Sequence, residues 1–186
     1  GMKYGKHTEL HVSNDKSKEG ESFTYASFER KLGTDDAYTI HVTAKDLAGN
    51  TQEKSVSFKV NRFGSRYSLD NYTTEAVEKY YVNSDKNFVI IEDNLDKVNN
   101  YELCYISDGA TKVLDTKDYS VSSSSDASGW NTYSYSIKPD MLEKDGVYSF
   151  VVYSTDAAGN KSDNITKGTP LKVCVDDTVP VITVTN

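Results

Sequence analysis

Few residues punctuate this chain: its 186 positions hold 3 Pro, 2 Cys, 2 Met, 3 His and one Trp. Two cysteines, Cys104 and Cys174, are too few for a disulfide framework. The three histidines, His7, His11 and His41, all fall in the first third, so the long stretch after residue 62 has no histidine base. No apolar run approaches the ~18 residues that span a bilayer, so no membrane insertion is expected. Lys and Arg number 21 against 28 Asp and Glu, and a net charge of −7 repels nucleic-acid phosphates and anionic lipid alike. No phosphate loop, HExxH, CxxC or GxSxG is present, and no carboxylate pair stands in a setting that would split its pKa values. Neither catalysis nor a cofactor is expected. The opening GMKYGK, a Gly before Met, reads as an expression leftover, so the lack of a leader there bears on nothing.

Tyrosine is abundant, at 14 residues. Tyr and β-branched residues favour strands, with Ser, Asn, Asp and Gly between them, so the composition reads as all-β. The stretch TAKDLAGNTQ at 43–52 returns as STDAAGNKSD at 154–163. At the same offset Leu32 falls on Leu142, Asp35 on Asp145, Tyr38 on Tyr148, Ile40 on Phe150 and Val42 on Val152. This is a structural repeat.

Each copy alternates with period two: Tyr38, Ile40, Val42 and Ala44 in one, Tyr148, Phe150, Val152 and Ser154 in the other. A second alternating run follows each loop, Val56, Phe58, Val60 and then Leu171, Val173, Val175. Strand, Gly-containing loop, strand predicts a hairpin. In the loop, Asp46 and Asp156 are placed to accept backbone N–H groups, Gly49 and Gly159 to take positive φ, and Asn50 and Asn160 to close the turn. A calcium loop is the other reading, but D-x-A-G-N lacks the ladder of oxygen ligands such a loop needs.

The spacing L-x-x-D-x-x-Y, at Leu142, Asp145 and Tyr148 and again at Leu32, Asp35 and Tyr38, resembles the tyrosine corner of immunoglobulin-like sandwiches. With the D-x-A-G-N hairpin and the linker-like DDTVPVITV at 176–184, it resembles the bacterial immunoglobulin-like tandem repeats of Gram-positive cell-surface proteins. The resemblance implies tandem immunoglobulin-like β-sandwich domains on an extracellular, cell-surface or wall-attached protein. Tyr38 and Tyr148 would be the corner tyrosines. Ile40 and Phe150 stand where antibody domains carry cysteine, so no antibody-type disulfide is expected.

The expected division is 1–62, a partial or reduced domain, 63–177, a complete one, and 178–186, a linker opening a further repeat. Strands are expected at Glu9–Val12, Phe23–Phe28, Tyr38–Ala44 and Val56–Val60 in the first. The second should hold strands at Tyr67–Leu69, Phe88–Glu92, Tyr101–Ser107, Tyr119–Ser122, Tyr133–Ile137, Val147–Thr155 and Leu171–Asp176, with a helix over Thr74–Tyr80 capped by threonine. The serine-rich 120–129 reads as a flexible loop.

Three candidate sites remain. His7, Glu9 and His11 share one strand face, either a metal triad or, as preferred, an exposed polar face; no metal site is assigned. Cys104 and Cys174 fall out of phase with the apolar rows, on outer faces, and are expected as free thiols. Tyr80, Tyr81, Trp130, Tyr133, Tyr135 and Tyr153 offer either a flat platform for sugar rings or cross-strand packing inside a sandwich. The function expected is a non-enzymatic spacer presenting other domains and contacting neighbouring repeats of its own chain. The alternative is an adhesion or carbohydrate-binding module for a host glycan or surface protein.

Overall fold

The structure, a computed structural model, describes residues 8–13, 30–82, 86–142 and 144–184, with the backbone alone at 8–13, 81 and 82. The chain divides into two units, one of residues up to Phe63 together with Ser125–Trp130, the other of Gly64–Ser124 and everything from Asn131 on. Most described residues lie in strands, and the all-β expectation holds.

The first unit holds β1 (Thr8–Ser13), β2 (Asp36–Lys45) and β3 (Thr51–Val60), in the order β1-β2-β3. β1 runs parallel to β2, whereas β2 and β3 form the predicted antiparallel hairpin, with Tyr38 opposite Phe58 and Ile40 opposite Val56. The rings of Tyr38 and Phe58 stack at 5.6 Å. Burial fades along the hairpin: Tyr38 is 6% exposed, Val42 39% and Val56 53%. The strand expected at Phe23–Phe28 lies outside the described residues.

The second unit holds, in chain order, β4 (Arg66–Leu69), α1 (Asn71–Lys79), β5 (Tyr81–Val82), β6 (Phe88–Asn94), β7 (Val98–Ser107), β8 (Ala110–Val113), β9 (Tyr119–Ser125), β10 (Asn131–Ile137), β11 (Gly146–Asp156), β12 (Lys161–Asp163) and β13 (Leu171–Val175). One sheet runs β4-β6-β10-β9 and the other β5-β13-β11-β7-β8, with β12 added on β11. Phe88, Ile90, Tyr135 and Ile137 of the first sheet join Leu103, Phe150, Val152, Leu171 and Val173 of the second in one buried cluster. Phe88 and Phe150, from different sheets, bring their rings to 6.0 Å. Each such side chain contributes about 1.5–3 kcal/mol by leaving water, so this core holds the two sheets together.

Three expectations are corrected. The helix begins three residues earlier than its threonines suggested, because Asp70 is the N-cap, accepting the Thr73 N–H at 2.8 Å. Thr73 turns its hydroxyl inward instead, where it accepts the Val89 N–H at 2.8 Å. The serine-rich segment is strand as far as Ser125, followed by a tight turn. β8 is absent from the expected strands, although Asp108-Gly109 between two runs is a strong hairpin signal; both residues take positive φ, 51° and 74°.

Candidate functional site

The repeated loop has one hydrogen-bond pattern in both copies. Gly49 N–H donates to the Asp46 carbonyl at 3.1 Å and Asn50 N–H to Asp46 Oδ1 at 2.8 Å; the Asn50 amide reaches Oδ2 at 2.7 Å. In the second copy the matching distances are 3.0, 2.8 and 3.0 Å, from Gly159, Asn160 and the Asn160 amide to Asp156. Gly49 has φ 96° and Gly159 φ 87°, a region where a side chain would be strained. The bonds from Asn50 hold the Asp46 carboxyl below its ordinary 3.8.

Asp126 repeats the device unannounced. Gly129 N–H donates to its carbonyl at 3.2 Å, Trp130 N–H to its Oδ1 at 3.0 Å, and Gly129 has φ 89°. The D-x-x-G spacing alone would have marked this third turn. Trp130 stands where the two repeats carry Asn, and its backbone N–H bonds Asp126 just as theirs bond Asp46 and Asp156.

Ahead of β2 and β11 the two copies match again. Tyr38 donates its hydroxyl to the Thr34 carbonyl and Tyr148 to that of Lys144, both at 2.8 Å. The aspartates three residues earlier grip the chain where it leaves the last strand of each copy. Asp35 Oδ2 accepts the N–H groups of Arg62 at 2.7 Å and Phe63 at 2.8 Å, two and three places beyond Val60. Asp145 accepts the Asp177 N–H at 2.8 Å and the Thr178 hydroxyl, two and three places beyond Val175. The Thr178 hydroxyl, then the Asp177 N–H, hold the Asp145 carboxyl below its ordinary range.

At one end of the second unit's core the inward rows turn polar. β6 continues from Phe88 and Ile90 to Glu92 and Asn94, and β11 from Phe150 and Val152 to Ser154 and Asp156, all buried. Glu92 is fully enclosed. Tyr135 donates to its Oε2 at 2.6 Å, Ser154 to Oε1 at 2.6 Å, and Ser65 to the same oxygen. The Tyr67 hydroxyl stands 2.9 Å from Ser154 Oγ and 3.3 Å from Glu92 Oε1. Asn94 extends the network through its amide, donating to Ser65 Oγ at 2.9 Å and Asp156 Oδ2 at 3.2 Å. Burial first, then the Glu92 charge, pushes the Tyr67 and Tyr135 phenols far above their ordinary 10.0. With their protons held, these phenols join Ser65 and Ser154 in giving both Glu92 oxygens hydrogen-bond partners.

The six aromatics do not form one platform. Tyr135 is fully buried, and Trp130 is 6% exposed within the first unit, where its indole N–H donates to Asp36 Oδ1 at 3.3 Å. Tyr133 packs against the core and accepts the Val98 N–H at 3.0 Å. Tyr80 is half-buried as the helix C-cap, and Tyr81 pairs its backbone with Cys174. Tyr153 stays at the surface, 44% exposed. Alternation explains the burial: Tyr133 and Tyr135 occupy the inward row of β10 with Ile137, so packing won.

Both cysteines are free, on β7 and β13 with β11 between them. Cys104 is in phase with Glu102, on the sheet face away from the core cluster, yet it is buried; burial and the Glu102 carboxylate raise its thiol pKa. Among the described residues no three His, Cys, Asp or Glu side chains gather to hold a metal ion, and no helix is long and apolar enough to cross a membrane. His7 and the Glu9 and His11 side chains lie outside the described set. No family model and no curated protein matches this chain.

Proposed function

We propose that the chain is a non-enzymatic spacer of a bacterial cell-surface protein, built of immunoglobulin-like β-sandwich repeats in tandem and presenting other domains outside the cell. The observation that carries this reading is the repeated grip of Asp35 and Asp145 on the chain just beyond each copy's last strand. A side chain that fixes the exit segment limits the directions in which the following polypeptide leaves. That restraint serves a stalk.

The strand orders support the immunoglobulin-like part. β4-β6-β10-β9 corresponds to A-B-E-D, and β13-β11-β7 to G-F-C, of that sandwich. The two tyrosines that bond back to the preceding connection fit the corner at the start of strand F. After Val175 the sequence runs on to Val179, Val181, Ile182 and Val184, all exposed, and Val181 stands as far beyond Val175 as β4 begins beyond Val60. That matches the first strand of a further repeat.

The test is limited trypsin digestion, followed by mass spectrometry of the Arg62–Phe63 bond. A spacer with fastened exits resists cleavage there, and Asp35→Ala accelerates it about tenfold or more while circular dichroism keeps the β signal. Equal rates in both proteins would remove the basis for the stalk.

A further inference from the structure

We infer that the outward face of β7, β11 and β12 in the second unit is a binding site for a neutral saccharide, with Tyr153 as its floor. The antiparallel register sets six side chains in two rows. Tyr153 lies between Glu102 and Asp163, and Thr155 lies between Asn100 and Lys161. Directly paired positions on neighbouring strands are about 5 Å apart, and positions two apart on one strand about 7 Å, so the grid is roughly 10 by 7 Å. That matches one or two pyranose rings. The same residues line a surface cavity of about 500 Å³, inside the ~300–1,000 Å³ range of ligand sites.

These side chains are not used to hold the molecule together. Among the described residues, those of Asn100, Tyr153, Thr155 and Lys161 hydrogen-bond to no other residue, and the Tyr153 ring meets no other ring or cation. Glu102 receives only the long Cys104 S–H contact of 3.7 Å. Asp163 is the exception, holding the Thr166 N–H at 2.8 Å and the Thr166 hydroxyl at 2.6 Å.

Their chemistry selects the ligand. An anion would meet Glu102 and Asp163, and a cation would meet Lys161. An apolar ligand would strip water from five polar side chains and give nothing back. A neutral sugar suits the five that are not Asp163, whose carboxylate Thr166 already occupies. Its C–H face stacks on the tyrosine ring, while its hydroxyls both donate, to Glu102 and Asn100, and accept, from Lys161, Thr155 and Asn100.

The experiment is an amide-detected NMR titration of the whole chain with galactose, mannose and N-acetylglucosamine oligomers, and with inorganic phosphate and ethylammonium as charged probes. The expected result is saturable shifts from one or more of the sugars, confined to residues 100–102, 153–155 and 161–163. Tyr153→Ala should weaken that binding about tenfold or more and Lys161→Ala several-fold, with both spectra otherwise unchanged, since both side chains are at the surface. The inference is overturned if no sugar moves these amides, if Tyr153→Ala binds as tightly as the unaltered chain, or if phosphate or ethylammonium saturates the site in place of sugar.

Discussion

Asp46 and Asp156 hold their turns with the same local hydrogen bonds, yet Asp46 stands in solvent and Asp156 is 2% exposed. The second turn also touches the rest of its unit. Asp156 takes a further bond from Asn94, and the neighbouring Asn160 and Ser162 close over Gly64 so tightly that an added Cβ there would meet Ser162 Oγ at 2.7 Å. A motif of five residues therefore specifies a bend in both places and a structural keystone in one. What differs is the row behind it: the second unit runs its inward strand positions on into Glu92, Asn94 and Ser154, which the turn then seals.

The sharpest way to break this contrast is to remove the carboxylate that the network surrounds. Glu92→Ala leaves the hydroxyls of Ser65, Tyr67, Tyr135 and Ser154 without their acceptor, and is expected to destabilise the second unit by about 3–5 kcal/mol in urea unfolding. The hairpin of the first unit should be untouched, which its own amide exchange would report. Gly64→Ala comes next, at about 2–4 kcal/mol, because φ is 70° there and the new Cβ collides with Ser162 and Asn160. Asp156→Ala should cost about 1–3 kcal/mol through the buried donors it abandons, whereas Asp46→Ala should shift the melting midpoint far less. Equal shifts from the two aspartates would erase the distinction between the exposed and the buried turn.

Alkali tests the same network from the proton side. Tyr67 and Tyr135 have folded pKa values raised above 10.0, so the unfolded chain gives up these protons first. Their contribution is complete below about pH 10 and declines as pH rises beyond it. Tyrosinate absorbance should accordingly rise together with loss of the second unit's β signal. The smallest effect is at the exposed turn. Asp46 has a lowered folded pKa, so its contribution is present above 3.8 and lost as pH falls through the lower folded value. Asn50→Ala should move the Asp46 carboxyl titration, followed by NMR, upward toward 3.8.

Period two was enough to place the apolar rows, and Phe88 and Ile90 already put Glu92 on the inward side of β6. The buried site was thus half legible: an inward Glu was visible, its four hydroxyl partners were not, because Ser65, Tyr67, Tyr135 and Ser154 come from three other strands and a linker. Trp130 misled for the same reason. Its place after a serine-rich stretch suggests a surface, while the Asp126 turn and the Asp36 carboxylate take its backbone and indole N–H groups. Asn164 carried no signal either, although it is fully buried and ties the 164–170 segment to β11 by accepting the Val152 N–H at 2.9 Å and donating to the Phe150 carbonyl at 3.2 Å.

The sequence by itself determined most of the strands, the hairpin loop of each repeat and the repeated Asp, Gly and Tyr positions, since those depend on alternation and on backbone bonds spanning four residues or fewer. Tertiary structure alone decided which of two equal turns is buried, which tyrosines face the core and which one faces water. Those outcomes depend on what an opposing strand, distant in the chain, places within hydrogen-bond reach, and no local pattern carries that information.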